Sequence, residues 1–189
     1  TVELVAANSS IRGDIDTPVQ LGGYNVVRIG DNAFSGCSKL TSVRISARVT
    51  DIGDYAFKNC SELTNVTFGY DVGGIGNCIF EGCTKLSSIS VSISNKTYHS
   101  ANNCVIRTRN NELILGCKDS VIPDGVTKLR KYAFYDCVGL TSINIPKSVT
   151  SIADSAFSGC SNLTDIYYDG TEKNRKLIDI GNDNEYLLN

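Results

Sequence analysis

The sequence predicts a solenoid of stacked 23-residue coils, and three observations carry that reading. The phrase Ala33-Phe34-Ser35-Gly36-Cys37 returns as Ala56-Phe57-Lys58-Asn59-Cys60, Ile79-Phe80-Glu81-Gly82-Cys83, Ala133-Phe134-Tyr135-Asp136-Cys137 and Ala156-Phe157-Ser158-Gly159-Cys160, at intervals of 23, 23, 54 and 23. Upstream, a Val and then an Ile or Leu keep the same spacing: Val26/Ile29, Val49/Ile52, Val72/Ile75, Val126/Leu129 and Val149/Ile152. Downstream comes a phrase L-x-x-[V/I]-x-φ, with φ apolar or aromatic: Leu40/Val43/Ile45, Leu63/Val66/Phe68, Leu86/Ile89/Val91, Leu140/Ile143/Ile145 and Leu163/Ile166/Tyr168. Five regular units follow, at 24–46, 47–69, 70–92, 124–146 and 147–169.

Self-similarity at a period of about 20–29 residues with this leucine punctuation marks a leucine-rich-repeat solenoid, in which each repeat makes one coil and touches only its neighbours. A single coil cannot bury enough apolar surface to offset the ordering of its backbone, so the coils must stack. The expected form is a right-handed superhelix with a parallel β-sheet on one face and short 3₁₀ or helical turns and loops on the other. The chain 1–189 reads as one domain. Residues 1–23 lack the phrase and are expected to cap the first coil. Within a regular coil the alternation Ser42-Val43-Arg44-Ile45 predicts a short strand with Val43 and Ile45 inward. The stretch Asp31 to Gly36 is rich in turn formers and too short for a full helix, so it predicts a 3₁₀ piece that drops Phe34 into the core. Residues 93–123 occupy 31 positions where the period allows 23. There Cys104-Val105-Ile106-Arg107 and Glu112-Leu113-Ile114-Leu115, joined through Asn110-Asn111, predict a β-hairpin inserted into an irregular coil. Residues 170–189, with Leu177, Ile178, Ile180, Leu187 and Leu188, are expected to cap the last coil.

Composition narrows the function classes. Eighteen Lys and Arg against twenty Asp and Glu leave a formal charge of −2, without the basic footprint that nucleic acid selects. No apolar run approaches the roughly 18–20 residues that cross a bilayer, so the chain is expected to be soluble. Methionine is absent and the chain starts at Thr1, so it is expected to be a processed or shortened product in which an export signal would not be visible. One histidine, His99, excludes three-histidine metal centres.

Eight cysteines raise disulfide, metal and nucleophile readings. Equivalent positions of adjacent coils lie about 4.7–4.9 Å apart with parallel side chains, which misses disulfide geometry. The repeating cysteines therefore read as a buried, reduced column. Cys104 and Cys117 are the best candidates for a bridge. Cys78 and Cys83 are the only closely spaced pair, and no metal is expected. A cysteine nucleophile would need His99, which lies in a polar segment and reads as an exposed loop residue. Gly73-Gly74-Ile75-Gly76 matches neither phosphate-loop pattern and reads as a turn. Arg12-Gly13-Asp14 spells an adhesion tripeptide, a weak signal at three letters. The Asn-x-Ser/Thr sites at Asn8, Asn65, Asn95 and Asn162 matter only in a glycosylating secretory pathway.

The phrase I-G-x-x-A-F-x-x-C-x-x-L-x-x-[V/I]-x-[I/V], here Ile29 to Ile45 and Ile52 to Phe68, resembles the BspA-like leucine-rich repeats of bacterial surface proteins. The resemblance covers all five units, and the interruption around Asn95-Lys96-Thr97-Tyr98-His99-Ser100, the start Gly13 to Tyr24 and the end Asp165 to Glu172 are similar to the family's irregular segment and flanks. Two departures stand out: Cys78-Ile79 replaces residues such as Tyr55-Ala56, and Gly69 to Gly74 lacks the family's usual proline. The resemblance implies an exported or surface-displayed, non-enzymatic module for adhesion or protein binding, with no catalytic set to transfer.

Outward strand positions form two polar rows: Ser42, Asn65, Ser88, Ser142, Asp165, and Arg44, Thr67, Ser90, Asn144, Tyr167. Solenoids use such rows as extended concave binding surfaces, so a protein or glycan partner is expected there, with Arg44 and Tyr167 as anchors. The hairpin, where Arg107 and Arg109 add positive charge, is a second candidate surface. A passive spacer displaying another domain is the alternative function, and a Cys/His hydrolase the remote one. No cofactor is expected, the state is expected to be monomeric, and the location extracellular or at the cell surface.

Overall fold

The structure, a computed structural model, describes residues 1–187. Leu188, expected in the C-terminal cap, lies outside the described residues. The first half of the chain supplies strands β1 (Val2–Leu4), β2 (Arg12–Asp16), β3 (Gln20–Leu21), β4 (Tyr24–Ile29), β5 (Lys39–Arg44), β6 (Asp51–Ile52), β7 (Asn65–Phe68), β8 (Gly74–Ile75) and β9 (Ser88–Val91). The second half supplies β10 (Tyr98–Ala101), β11 (Cys104–Arg107), β12 (Glu112–Leu115), β13 (Lys128–Leu129), β14 (Ser142–Ile145), β15 (Ser151–Ile152), β16 (Asp165–Tyr168) and β17 (Asp179–Ile180), with a one-turn helix α1 (Glu172–Arg175) before β17. Together they wind about seven turns of a parallel β-solenoid.

Each regular coil carries two strands. The longer strand is the one the alternation predicts, and Val43, Val66 and Ile89 point inward in register across β5, β7 and β9, each at most 2% exposed. A second, two-residue strand falls on the upstream apolar pair, where Ile29, Ile52 and Ile75 align across β4, β6 and β8. Two residues are too few to show an alternation, which is why the sequence reading found one wall and the chain has two.

The segment after the short strand is bonded as a 3₁₀ turn would be, yet it forms no continuous helix. The Ser35 N–H donates to Asn32 O at 2.9 Å and the Cys37 N–H to Phe34 O at 3.1 Å. Asn32 at φ 58° and Gly36 at φ 75° break the run into separate turns. Turns of successive coils join through the Phe34 N–H to Ala56 O at 2.7 Å and the Phe57 N–H to Ile79 O at 2.9 Å, which stacks Phe34 on Phe57 with ring centroids 5.1 Å apart. Phe134 and Phe157 stack in the same way at 5.0 Å.

The irregular coil holds three strands, one more than the expected hairpin. β11 and β12 pair as expected, and β10 adds to β11 around Asn102-Asn103, both with positive φ. β12 then pairs parallel with β13 and takes the place of a short strand in the ladder β12-β13-β15-β17. Both ladders break at this coil: β1-β4-β6-β8 ends without pairing to β12, and β2-β5-β7-β9 and β14-β16 are separate sheets, with the β9 edge meeting β10, where Ser100 Oγ accepts the Val91 N–H at 3.0 Å. Buried side chains fall accordingly into two clusters, one from Val26 to Cys117 and one from Cys104 to Leu187, which interleave at the irregular coil.

At the front, β1 and β2 pair parallel with β4 and β5, so residues 1–23 run alongside the first regular coil as a further turn of both ladders. At the back, Asn184 accepts the Phe157 N–H at 3.0 Å and donates to Ala153 O at 3.0 Å, which ties Leu187 into the core.

Candidate functional site

The outward face of the long ladder is set by register. Asp14, Ser42, Asn65 and Ser88 align in one row, and Asp16, Arg44, Thr67 and Ser90 in the next. Ser142 and Asn144 align with Asp165 and Tyr167 on the second sheet. The structure therefore brings Arg44, Thr67, Ser90 and Asn65 together on one sheet and places Asn144, Tyr167 and Asp165 on another. The expected rows are interrupted because β10 occupies the β9 edge, and the two expected anchors, Arg44 and Tyr167, do not share a strip.

Along the first sheet the polar side chains are partly engaged with each other. Thr67 Oγ1 and Ser90 Oγ are 2.9 Å apart, and Asn65 Oδ1 accepts from Thr64 Oγ1 at 2.6 Å. Arg44 pairs loosely with Asp16 at 3.8 Å, both side chains about 70% exposed, so its guanidinium stays available. On the second sheet Asn144 donates to Asp169 at 2.6 Å, Asp165 accepts from Thr164 at 2.9 Å, and Tyr167 stands 59% exposed.

Next to Arg44 the surface sinks into a groove of about 420 Å³ that crosses successive coils. Arg44, Asp16 and Thr67 line it together with Val19, Ala47 and Tyr70, which supply apolar surface over the buried Phe68. Val19 and Tyr70 are nearly half exposed, and Ile93, one repeat beyond Tyr70, is fully exposed. The sequence reading missed Asp16, Val19 and Tyr70. A signal was present: Ala47, Tyr70 and Ile93 follow one another at 23-residue steps just past the strand, an exposed position that gains apolar bulk along the stack.

A second depression, of about 390 Å³, lies by the irregular coil and is lined by Gly73, Lys96, Thr97, Arg107 and Arg109. It joins the two arginines noted in the sequence to Lys96, which comes from just before β10.

The cysteines are all free. Cys60, Cys83 and Cys160 donate to the carbonyls of Phe34, Phe57 and Phe134 at 3.2, 3.0 and 3.1 Å, so the column is held by backbone acceptors of the preceding turn. The bridge considered for Cys104 and Cys117 is absent; Cys104 Sγ faces Val121 O at 3.6 Å and Cys117 Sγ faces Asn103 O at 3.8 Å. Burial pushes the Cys78 thiol up to about 11 and those of Cys104 and Cys160 up to about 12, and raises Cys37, Cys117 and Cys137 as well. The neighbouring Cys60 and Cys83 thiols act on each other, lowering the first and raising the second, and Cys60 is wholly enclosed. Thiols this buried and this weakly acidic are poor nucleophiles. His99 is exposed but sits on β10 rather than in a loop, with Nδ1 3.2 Å from Thr108 Oγ1.

Arg12-Gly13-Asp14 lies within β2, paired to β5, and Asp14 accepts from Thr41 at 2.7 Å; the tripeptide is strand, not loop tip. Among the described residues, no group of three or more His, Cys, Asp or Glu is placed to hold a metal ion, and no helix is long and apolar enough to cross a membrane.

The family model for the BspA type leucine-rich repeat region matches in six copies over residues 20–114 and 112–182. No curated protein matches the chain. Among solved structures, the pneumococcal vaccine antigen PcpA is similar with a TM-score of 0.57 and 20% identity, over 77% of this chain and 43% of that one. The leucine-rich repeat protein of T. pallidum gives 0.49 and 21% over 89% and 72%. A leucine-rich cell surface protein of Faecalibacterium prausnitzii gives 0.31 and 20% over 89% and 90%. The chain thus spans less than half of PcpA, and the likeness to that structure is one of fold.

Proposed function

The chain belongs to the BspA-type leucine-rich repeat family, and from that premise we propose that it is a non-enzymatic binding and adhesion module, displayed outside the cell, that takes a protein partner on the outward face of its first long sheet. The observation that carries the reading is the groove of about 420 Å³ beside Arg44. It sets an available guanidinium and the Thr67 hydroxyl next to the half-exposed Val19 and Tyr70. An aromatic and an arginine around a cleft are the residue types in which binding energy concentrates, because each buries a large area while keeping a polar handle. Family membership supports the extracellular setting, and the buried, weakly acidic thiols support a binding role over a catalytic one.

The anchors are accordingly Arg44 and Tyr70, with Thr67 in the groove and Asn65 and Ser90 on the adjoining sheet face. Tyr167, Asn144 and Asp165, on the separate second sheet, form a subsidiary patch. The test is binding to an array of host matrix proteins and glycans. Arg44→Ala and Tyr70→Ala each weaken capture of a protein ligand at least tenfold while Tyr167→Ala has a smaller effect. Capture that survives both groove substitutions moves the site elsewhere, and a chain that captures nothing fits a spacer.

A further inference from the structure

We propose that the irregular coil carries a second, independent site, in which Lys96, Arg107 and Arg109 bind an acidic glycan through its sulfate or carboxylate groups. Three cationic side chains converge on one depression of about 390 Å³ whose lining includes no carboxylate. They come from three places: Lys96 from the segment before β10, Arg107 from the end of β11, and Arg109 from the turn into β12. Gly73, from the preceding regular coil, closes the floor. On a chain whose formal charge is −2, such a concentration is local and does not follow from composition.

The site is built rather than a chance meeting of flexible side chains. Arg107 is held with its guanidinium 5.9 Å from the centroid of the Tyr98 ring, and Tyr98 is 3% exposed, with its hydroxyl donating to Gly73 O at 3.0 Å. Asn95 steadies the loop that carries Lys96: its amide donates to Gly69 O and Val72 O at 2.9 Å, and its Oδ1 accepts the N–H groups of Thr97 and Tyr98 at 2.8 Å. Arg107 also meets Glu112, opposite it in the strand pairing, 3.5 Å from Arg107 Nε. That contact is an ion pair rather than a hydrogen bond, since Arg107 Nε is buried without a hydrogen-bond partner. Lys96 and Arg109 are exposed and form no ion pair among the described residues.

The chemistry that fits is anionic and compact. Guanidinium groups take sulfate or carboxylate in paired hydrogen bonds, and a third cation adds charge without geometric demand. The Thr97 hydroxyl beside the cations suits a sugar hydroxyl. A nucleic-acid strand would instead need a row of cations following its phosphates. The neighbouring turn residues Asn110 and Asn111 are uncharged, and no such row continues.

Calorimetric titration with a heparin-derived hexasaccharide, an uncharged N-acetylglucosamine hexamer and a single-stranded oligothymidylate of six nucleotides tests this. The heparin fragment binds and the uncharged hexamer does not. Lys96→Ala with Arg109→Ala weakens the heparin fragment at least tenfold, and Lys147→Ala with Lys173→Ala leaves it unchanged. Both substituted side chains are exposed, so an unchanged melting temperature accompanies the loss. Equal binding by the Lys96/Arg109 variant, or equal binding of the uncharged hexamer, overturns the proposal. An oligothymidylate that binds as tightly as the heparin fragment and is lost in the same variant overturns the glycan assignment. Arg44→Ala has no effect here, so failure at the groove and failure at this site are read separately.

Discussion

Phe57 shows how much one side chain of the repeat carries. It lies between Phe34 at 5.1 Å and Phe80 at 5.9 Å, with no exposed surface, so no neighbour can collapse into its place without moving a whole turn. Phe57→Ala is expected to cost about 3–5 kcal/mol through lost burial and the cavity left behind. Urea denaturation checks it, and a loss under about 1 kcal/mol contradicts the enclosed stack. The cysteines make a prediction of the opposite kind, visible only at high pH. An unfolded thiol ionises near 9.0, whereas burial holds Cys104 protonated up to about 12. Below pH 9 both states keep the proton and stability is flat. Between those values only the unfolded chain releases it, so stability falls as pH rises. Urea midpoints should be nearly level from pH 7.5 to 9 and decline towards pH 10.5, less steeply in Cys104→Ala; equal slopes for the two proteins above pH 9 would contradict the burial of this thiol. The role of Phe57 was legible in sequence, because a core position repeated five times at one phase leaves little choice of environment, whereas Cys104 lies off the repeat and was expected as a bridge candidate instead. What the thiols bond to was not legible, since the acceptor belongs to the backbone of another coil.

At the scale of the element, the turn after the short strand is where propensity and geometry meet. The residue just before the repeating cysteine is left-handed in every regular coil and is occupied by Gly36, Asn59, Gly82, Asp136 and Gly159, the residue types that tolerate that region. At Gly36 an added Cβ meets nothing within 4 Å, so the conformation alone sets the penalty. Gly36→Ala should therefore lower stability by about 1–2 kcal/mol, and Gly36→Asn should recover most of it. Equal stability of the two variants would show that the turn relaxes to negative φ. The first left-handed position is less orthodox. Tyr55, Cys78 and Tyr132 stand there with φ of 56°, 49° and 65°, held by the coils above and below. Reading the phrase as a 3₁₀ piece missed this, because the i to i−3 bonds and the residues that interrupt them leave the same turn-rich composition. The hairpin was legible for the converse reason: a short apolar run on each side of paired asparagines is a local signal. Its third strand, β10, is made of Tyr98-His99-Ser100-Ala101, which carries no apolar alternation, and is fixed by the partner it meets.

For the whole molecule the decisive feature is the break in the long ladder. A solenoid whose coils touch only their neighbours is as cooperative as its weakest interface. That interface lies at residues 93–123, where β9 and β14 are not paired and the buried clusters change hands. It is also why half of the candidate surface was misjudged from sequence: equal phase along the chain places Ser90 and Asn144 in one row only if the ladder between them is continuous. Two long-range contacts span the break. Arg130 donates to Ile75 O at 2.9 Å and to Asn77 Oδ1 at 3.1 Å, and Asp136 Oδ2 accepts the Gly82 N–H at 2.8 Å. Arg130 serves two acceptors on the preceding regular coil with one planar group, a geometry that lysine cannot reproduce. Arg130→Ala and Arg130→Lys should both weaken the coupling between the two halves. Hydrogen exchange should then resolve them as separate opening units, with amides of β14 to β17 exchanging at a different free energy from those of β5 to β9. In the unsubstituted chain the two sets should exchange at free energies closer to each other. If Arg130→Ala lowers the protection of both sets equally, the halves fold as one unit and the break in the ladder is one of hydrogen bonding alone.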